Sequence, residues 1–195
     1  NHLPITVLIE PKAEVTEIKD MKNFSVDYAN ALGETIKNVL GDTLLTPAQM
    51  MRNYASFEEM RMADDWLTLE ETLGKVMVLL HDCNVTDDYI AQDETIKSLP
   101  IFPMLRFEDI DKSYTSFILE NEPDIAVENN PTSIGIYNVI VRTRADSFPN
   151  FSDERYAYTD MCGSHIITTD YPPRTVRKDE HTYSFDKYTV KPLNE

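Results

Sequence analysis

Apolar runs of strand length alternate along this chain with longer segments in which polar and apolar residues mix. LPITVLIE (Leu3–Glu10) is rich in β-branched residues and predicts a strand. Residues Asp27–Val39 carry Ala, Leu, Ile and Val at helical spacing, with Gly41 placed to stop the helix. In LTPAQMM, Thr46 is positioned as an N-cap and Pro47 as the first helical residue. Thr68 and Glu71 form a capping-box-like start, with Gly74 as the stop. KVMVLLH (Lys75–His81) is a continuous apolar strand, and PMLRF (Pro103–Phe107) and Ser116–Asn121 read as further strands. Asn138–Ala145 and Ser164–Asp170 are clearer ones, and the segment Glu154–Asp160 between them reads as helix. Alternation of strand and helix predicts an α/β fold with a parallel sheet. About five such strands make the later part of a TIM-type (β/α) barrel, which as a whole takes about 250 residues.

Alternate residues of a strand face opposite sides of the sheet. In Leu3–Lys12 the odd positions are Leu3, Ile5, Val7 and Ile9, and the even ones include Thr6, Leu8, Glu10 and Lys12. In Asn138–Asp146 the even positions include Arg142, Arg144 and Asp146, and in Ser164–Asp170 they include Thr168 and Asp170. Each strand thus has an apolar face suited to packing under helices and a face that becomes charged toward its C-terminal end. In a (β/α) barrel that second face lines the lumen, and the C-terminal ends form the active-site mouth. Glu10, Lys12, Arg142, Arg144, Asp146 and Asp170 are therefore expected to converge there. Carboxylates in such a place can ligate a hard cation. Arg and Lys can neutralise a phosphodiester. Structural ion pairs filling a polar lumen would give the same pattern, and the residues alone leave both readings open.

The formal net charge of −16 over 195 residues argues against nucleic acid as a partner and gives no general attraction to anionic lipid. Recognition of a lipid phosphate would have to come from local cations. No apolar run approaches the ~18 residues of a membrane span. Cys83 and Cys162 make no metal-binding spacing, and whether they pair cannot be read from the sequence. Three Asn-x-Ser/Thr strings, at Asn23, Asn84 and Asn150, match the N-glycosylation pattern but carry little weight, since this composition gives one or two by chance. His81 and Asp82, at the end of an apolar strand, are equally eligible to face the lumen. His2, His165 and His181 are scattered and read as structural or solvent-facing.

VRTRADS (Val141–Ser147), followed by the Gly163–Tyr171 strand ending in Thr-Thr-Asp-Tyr, resembles the end of the Ca²⁺-dependent phosphoinositide phospholipase C family found in many bacteria. Other strings agree in order. ITVLIEPK (Ile5–Lys12) is similar to the family's strand ending in Glu-Pro-Lys. LLTPAQM (Leu44–Met50), LGKVMVLLHD (Leu73–Asp82) and SFILENEP (Ser116–Pro123) resemble further family strings, so the match runs from Leu3 to Tyr171. The resemblance implies a TIM-type barrel, a Ca²⁺ ion and a phosphoinositide or related phosphodiester lipid at a membrane surface as substrate. It also implies cleavage by a pair of histidines acting as acid and base. Those histidines belong to strings that do not occur here, so this polypeptide alone is expected to be inactive.

By the same resemblance, Glu10, Lys12 and Arg144 are candidate catalytic residues. Arg142, Asp146, Asp170 and Tyr171 are candidate substrate contacts, and Glu10 and Asp82 candidate metal ligands. Without gaps, the family's strand-end Asp falls on His81, a departure at that position. Residues 1–171 are expected to be the C-terminal portion of the barrel domain, its first strands lying upstream of Asn1. Residues 172–195 are expected to be a polar extension. A secreted or extracytoplasmic location is expected. A glycerophosphodiester phosphodiesterase, or a degenerate barrel serving as a binding module, are the alternatives.

Overall fold

The computed structural model describes residues 2–12, 22–129, 135–145 and 153–169. Strand β1 (Ile5–Ile9) opens the chain, followed by helix α1 (Val26–Leu40). The Oγ of Ser25 accepts from the Tyr28 amide at the start of α1, and Gly41 ends it at φ 50°, a conformation open to glycine at little cost. A two-residue strand β2 (Leu44–Leu45) leads into α2 (Pro47–Met51), which Thr46 and Gln49 close with a reciprocal capping box. Helix α3 (Phe57–Met62) is capped by Ser56.

The predicted helix after Thr68 does not form. Its capping bonds are made, with the Glu71 amide donating to Thr68 Oγ1 at 3.3 Å and the Thr68 amide to Glu71 Oε2 at 2.8 Å. However, the chain turns at Gly74 (φ 78°), whose amide donates to His2 O at 2.7 Å. A cap followed so soon by a stop leaves no room to propagate a helix.

Strand β3 (Val76–Leu80), helix α4 (Thr86–Ile90), strand β4 (Phe102–Leu105) and strand β5 (Phe117–Leu119) follow. Then come α5 (Pro123–Asn129), α6 (Gly135–Tyr137), β6 (Ile140–Arg144), α7 (Asp153–Met161) and β7 (Ile166–Thr168). The strands lie in the order β1-β3-β4-β5-β6-β7, with every pairing parallel. A doubly wound sheet reverses its order at a switch point, whereas a barrel adds strands in chain order. The order seen is the barrel's, and the sheet is a half-barrel of the TIM type. Among the described residues it has six such strands, together with β2, which pairs with the first residues of β3.

Strands β4 and β5 are buried on both faces, as expected of a parallel sheet under helices. β1 is an edge strand, and Ile5 and Val7 on its odd face remain 47% and 40% exposed. The segment from α2 to Trp66 fills the inner face at the N-terminal end of the sheet. Phe57, Trp66, Phe102 and Phe117 form an aromatic group with centroids 5.2 to 6.5 Å apart. Arg61, 3% exposed, donates to Tyr137 O at 2.6 Å and Lys112 O at 3.1 Å, and Trp66 Nε1 donates to Asn138 O. These bonds tie the plug to the segments that lead into β5 and β6. The apolar packing therefore sits low in the half-barrel, and charged groups are left to the strand ends above it.

One close approach predicts a measurable cost. A Cβ at Gly33 in α1 would lie 2.5 Å from Cγ of the Pro100 ring. Gly33→Ala gains about 1 kcal/mol of helix propensity. Overpacking against a stiff ring costs about 1–3 kcal/mol. A net fall in Tm is expected on thermal unfolding, and Pro100→Ala in the same chain should recover it.

Candidate active site at the strand ends

The pairing register fixes which residues share a face. Leu8 pairs with Leu79, Leu79 with Phe102, Met104 with Phe117, Leu119 with Arg142, and Arg144 with Thr168. Paired residues of parallel strands point the same way, so one face runs unbroken from β1 to β7. Carried to the C-terminal ends, that inner face holds Glu10, His81, Arg106, Asn121, Arg142, Arg144 and Thr168. Val139, Val141, Thr143 and Ala145 on the opposite face of β6 are all buried.

At the β1 end, Lys12 Nζ lies 2.5 Å from Glu10 Oε1, and both side chains are about half exposed. The hydrogen bond from Lys12 holds the Glu10 carboxyl below its ordinary pKa, against some burial. The positive charges of Lys12, His81 and Arg142 act in the same direction as that bond. Glu10 thus stands in the field of His81 and Arg142 as well as its neighbour. The His81 amide donates to Ile9 O at 2.8 Å, continuing the β1–β3 ladder by one residue. His81 Nδ1 lies 2.8 Å from Asp82 O, and since a carbonyl only accepts, Nδ1 carries the proton there.

Arg142 is 8% exposed and spans three strands: Nη1 donates to Asn121 Oδ1 at 2.5 Å and Nη2 to Thr168 Oγ1. Arg144 stands one step further along the same face. Its Nε is buried, and among the described residues no hydrogen-bond partner reaches that atom. A guanidinium on this face can present several N–H donors to an anion.

The structure keeps the two expected metal ligands apart in their partnerships. Glu10 is paired with Lys12, and Asp82 Oδ2 accepts from Arg106 Nε at 2.5 Å. Among the described residues no group of three or more His, Cys, Asp or Glu is placed to hold a metal ion. Asp146, Asp170, Tyr171 and the extension 172–195 lie outside the described residues.

Asn121, Thr168 and Arg155 were not singled out by the sequence. Asn121 and Thr168 lie on the same face as Arg142, and aligning the strands would have found them. Arg155 carries no such signal. Its position in α7 does not mark it, yet it bonds to the ends of both β5 and β6.

Glu120, beside Asn121, has its pKa raised, first by burial and then by the negative charges of Glu122, Asp124 and Glu108. A carboxyl whose folded pKa lies above its unfolded value costs stability as pH rises through that interval, and the cost persists above it. Glu120→Gln keeps the acceptor that receives the Glu122 amide. It is expected to raise Tm slightly at neutral pH and to leave it unchanged well below the ordinary glutamate pKa. Thermal melts across that pH range check the sign.

Two solved bacterial enzymes share this architecture. One is a calcium-dependent phosphoinositol-specific phospholipase C from a Gram-negative Pseudomonas species, described in apo form and as a myo-inositol complex. It superposes with a TM-score of 0.56 at 13% identity, over 86% of this chain and 58% of that one. The other is a Ca²⁺-dependent phosphatidylinositol-specific phospholipase C from Streptomyces antibioticus, with a TM-score of 0.59 at 14% identity, over 86% and 64%. At such identities the likeness is one of fold, and the chain spans about three-fifths of the length of these relatives. No protein of curated function matches it. The family model for Ca²⁺-dependent phosphoinositide phospholipase C matches residues 1–194. The chain belongs to that family.

Proposed function

We propose that the whole protein is a phosphodiesterase that cleaves phosphatidylinositol-type lipids, and that this chain supplies the side chains that hold the phosphodiester at the barrel mouth. The observation that carries this reading is the pair Arg142 and Arg144 on the inner face at the end of β6, together with Lys12 and His81 beyond the ends of β1 and β3. Family membership supplies the substrate class. In this reading Arg144 donates to a non-bridging phosphate oxygen, and its contact strengthens as the P–O bond to the diacylglycerol oxygen lengthens. Arg142, fixed by Asn121 and Thr168, sets the positive field beneath it. Lys12 screens Glu10 until substrate enters.

Among the described residues Glu10 is the carboxylate on the inner face best placed to ligate Ca²⁺, as an exposed, ionised oxygen donor. When bound, that ion adds positive charge beside the phosphoryl oxygens. Among the described residues, the single Glu10 carboxylate beside Lys12 and Arg142 does not complete a Ca²⁺ cage. The role this reading assigns to the chain is holding the phosphodiester.

The test is hydrolysis by the intact protein of vesicles of phosphatidylinositol, with phosphatidylcholine vesicles and glycerophosphoinositol as separate substrates, each with Ca²⁺ and with a chelator. Release of an inositol phosphate and diacylglycerol from phosphatidylinositol alone, lost with the chelator, is the expected result. Turnover confined to glycerophosphoinositol, or no turnover, would contradict it.

A further inference from the structure

The strand ends that carry the mouth arginines are fastened from outside the sheet by one residue of α7. Arg155 Nη2 donates to Asn121 O at 2.6 Å and to Arg144 O at 3.2 Å, and Nη1 pairs with Glu122 Oε2. Two of these acceptors belong to the residues on which the proposed phosphate site depends. Asn121 gives its backbone oxygen to Arg155 and its side-chain oxygen to Arg142. Arg144 gives its backbone oxygen to Arg155, while its side chain faces the mouth.

The β5–β6 ladder continues one step past β5, where the Glu120 amide donates to Arg142 O at 2.9 Å. Arg155 carries the fastening further, to Asn121 O and Arg144 O. A planar fork with several N–H donors can serve two carbonyls and a carboxylate at once, whereas an ammonium group offers no fixed fork.

We propose that Arg155 is a positioning residue for the phosphate site: by clamping the ends of β5 and β6 it sets the direction in which Arg142 and Arg144 present their guanidinium groups. This rests on the reading that those two arginines hold the substrate phosphate. The clamp also helps to dock α7, so stability alone cannot separate positioning from scaffolding. The discriminating quantity is the affinity added by the phosphate, taken as the ratio of the Kd for myo-inositol to the Kd for myo-inositol 1-phosphate. Loss of scaffolding lowers Tm and leaves that ratio unchanged in the molecules that stay folded. Misdirected arginines lower the ratio itself.

The experiment measures both Kd values by calorimetry for the intact protein and for its Arg155→Gln, Arg155→Lys and Glu122→Gln variants, with Tm recorded for each. The wild type is expected to prefer the phosphorylated ligand. Arg155→Gln should reduce that preference on the order of tenfold. Arg155→Lys should restore part of it, and Glu122→Gln, which spares both carbonyl bonds, should leave it unchanged. If the Gln variant does not fold, Arg155→Lys carries the same test through a partial loss. A wild-type preference that survives in the Gln and Lys variants, whatever their Tm, overturns the role of Arg155. No preference in the wild type overturns the reading of Arg142 and Arg144 beneath it, and is a separate outcome.

Discussion

Replacing Arg144 by Ala in the intact protein is expected to lower kcat about a hundred- to a thousandfold, the ~3–4 kcal/mol of a charge-assisted contact made mainly in the transition state. KM should rise much less, because such a contact contributes little to ground-state binding. Arg144→Lys should recover only part of the rate, since it loses the planar two-pronged donor. Had Arg144 been half of a buried ion pair, its removal would leave an unpaired carboxylate and lower Tm sharply. Among the described residues the buried Nε of Arg144 has no hydrogen-bond partner. Steady-state kinetics together with thermal unfolding separate the two cases. A large fall in Tm with near-normal kcat at low temperature would dispose of the catalytic role.

The second large effect lies at the opposite end of the half-barrel. Phe102 is fully buried on the inner face, against Phe57 at 6.2 Å and Phe117 at 5.2 Å. Phe102→Ala is expected to cost about 3–5 kcal/mol, the sum of lost transfer energy and the cavity left behind. A domain holds only about 5–15 kcal/mol in all, so the loss is large. Rates normalised to folded protein should fall little, because the aromatic plug lies away from the charged strand ends. Denaturant unfolding gives the loss directly. A cost under about 1 kcal/mol would mean that the plug collapses to fill the space.

The elements most legible in the sequence were those with strong local signals. α1 runs between Ser25 and Gly41, and α2 starts on the capping box of Thr46. The period-two pattern of β1 and β6 put Glu10 and Arg142 on one face, and the register runs that face from Leu8 to Arg142 and on to Arg144. β2 escaped notice because two residues carry no period. The turn at Thr68 misled because its cap is satisfied without a helix behind it. The plug could not be foreseen from Phe57 and Trp66, which look like ordinary apolar residues until the sheet brings Phe102 and Phe117 against them. His81 and Asp82 could not be told apart, because their strand is apolar on both faces. The His81 amide continues the β1–β3 ladder to Ile9 O, while Asp82 pairs with Arg106. Arg155 acts through carbonyl oxygens distant in sequence, and no local pattern announces that.

The central claim is that the inner face at the strand ends, and Arg144 in particular, receives the phosphate. The most direct measurement follows the arginine Nε–H resonances of the intact protein by NMR as myo-inositol 1-phosphate is added, with myo-inositol as the reference ligand. The Arg144 resonance should shift and become protected from exchange with the phosphorylated ligand only, while those of Arg52 and Arg61 stay in place. Shifts confined to arginines away from the strand ends, or identical responses to both ligands, would contradict the account.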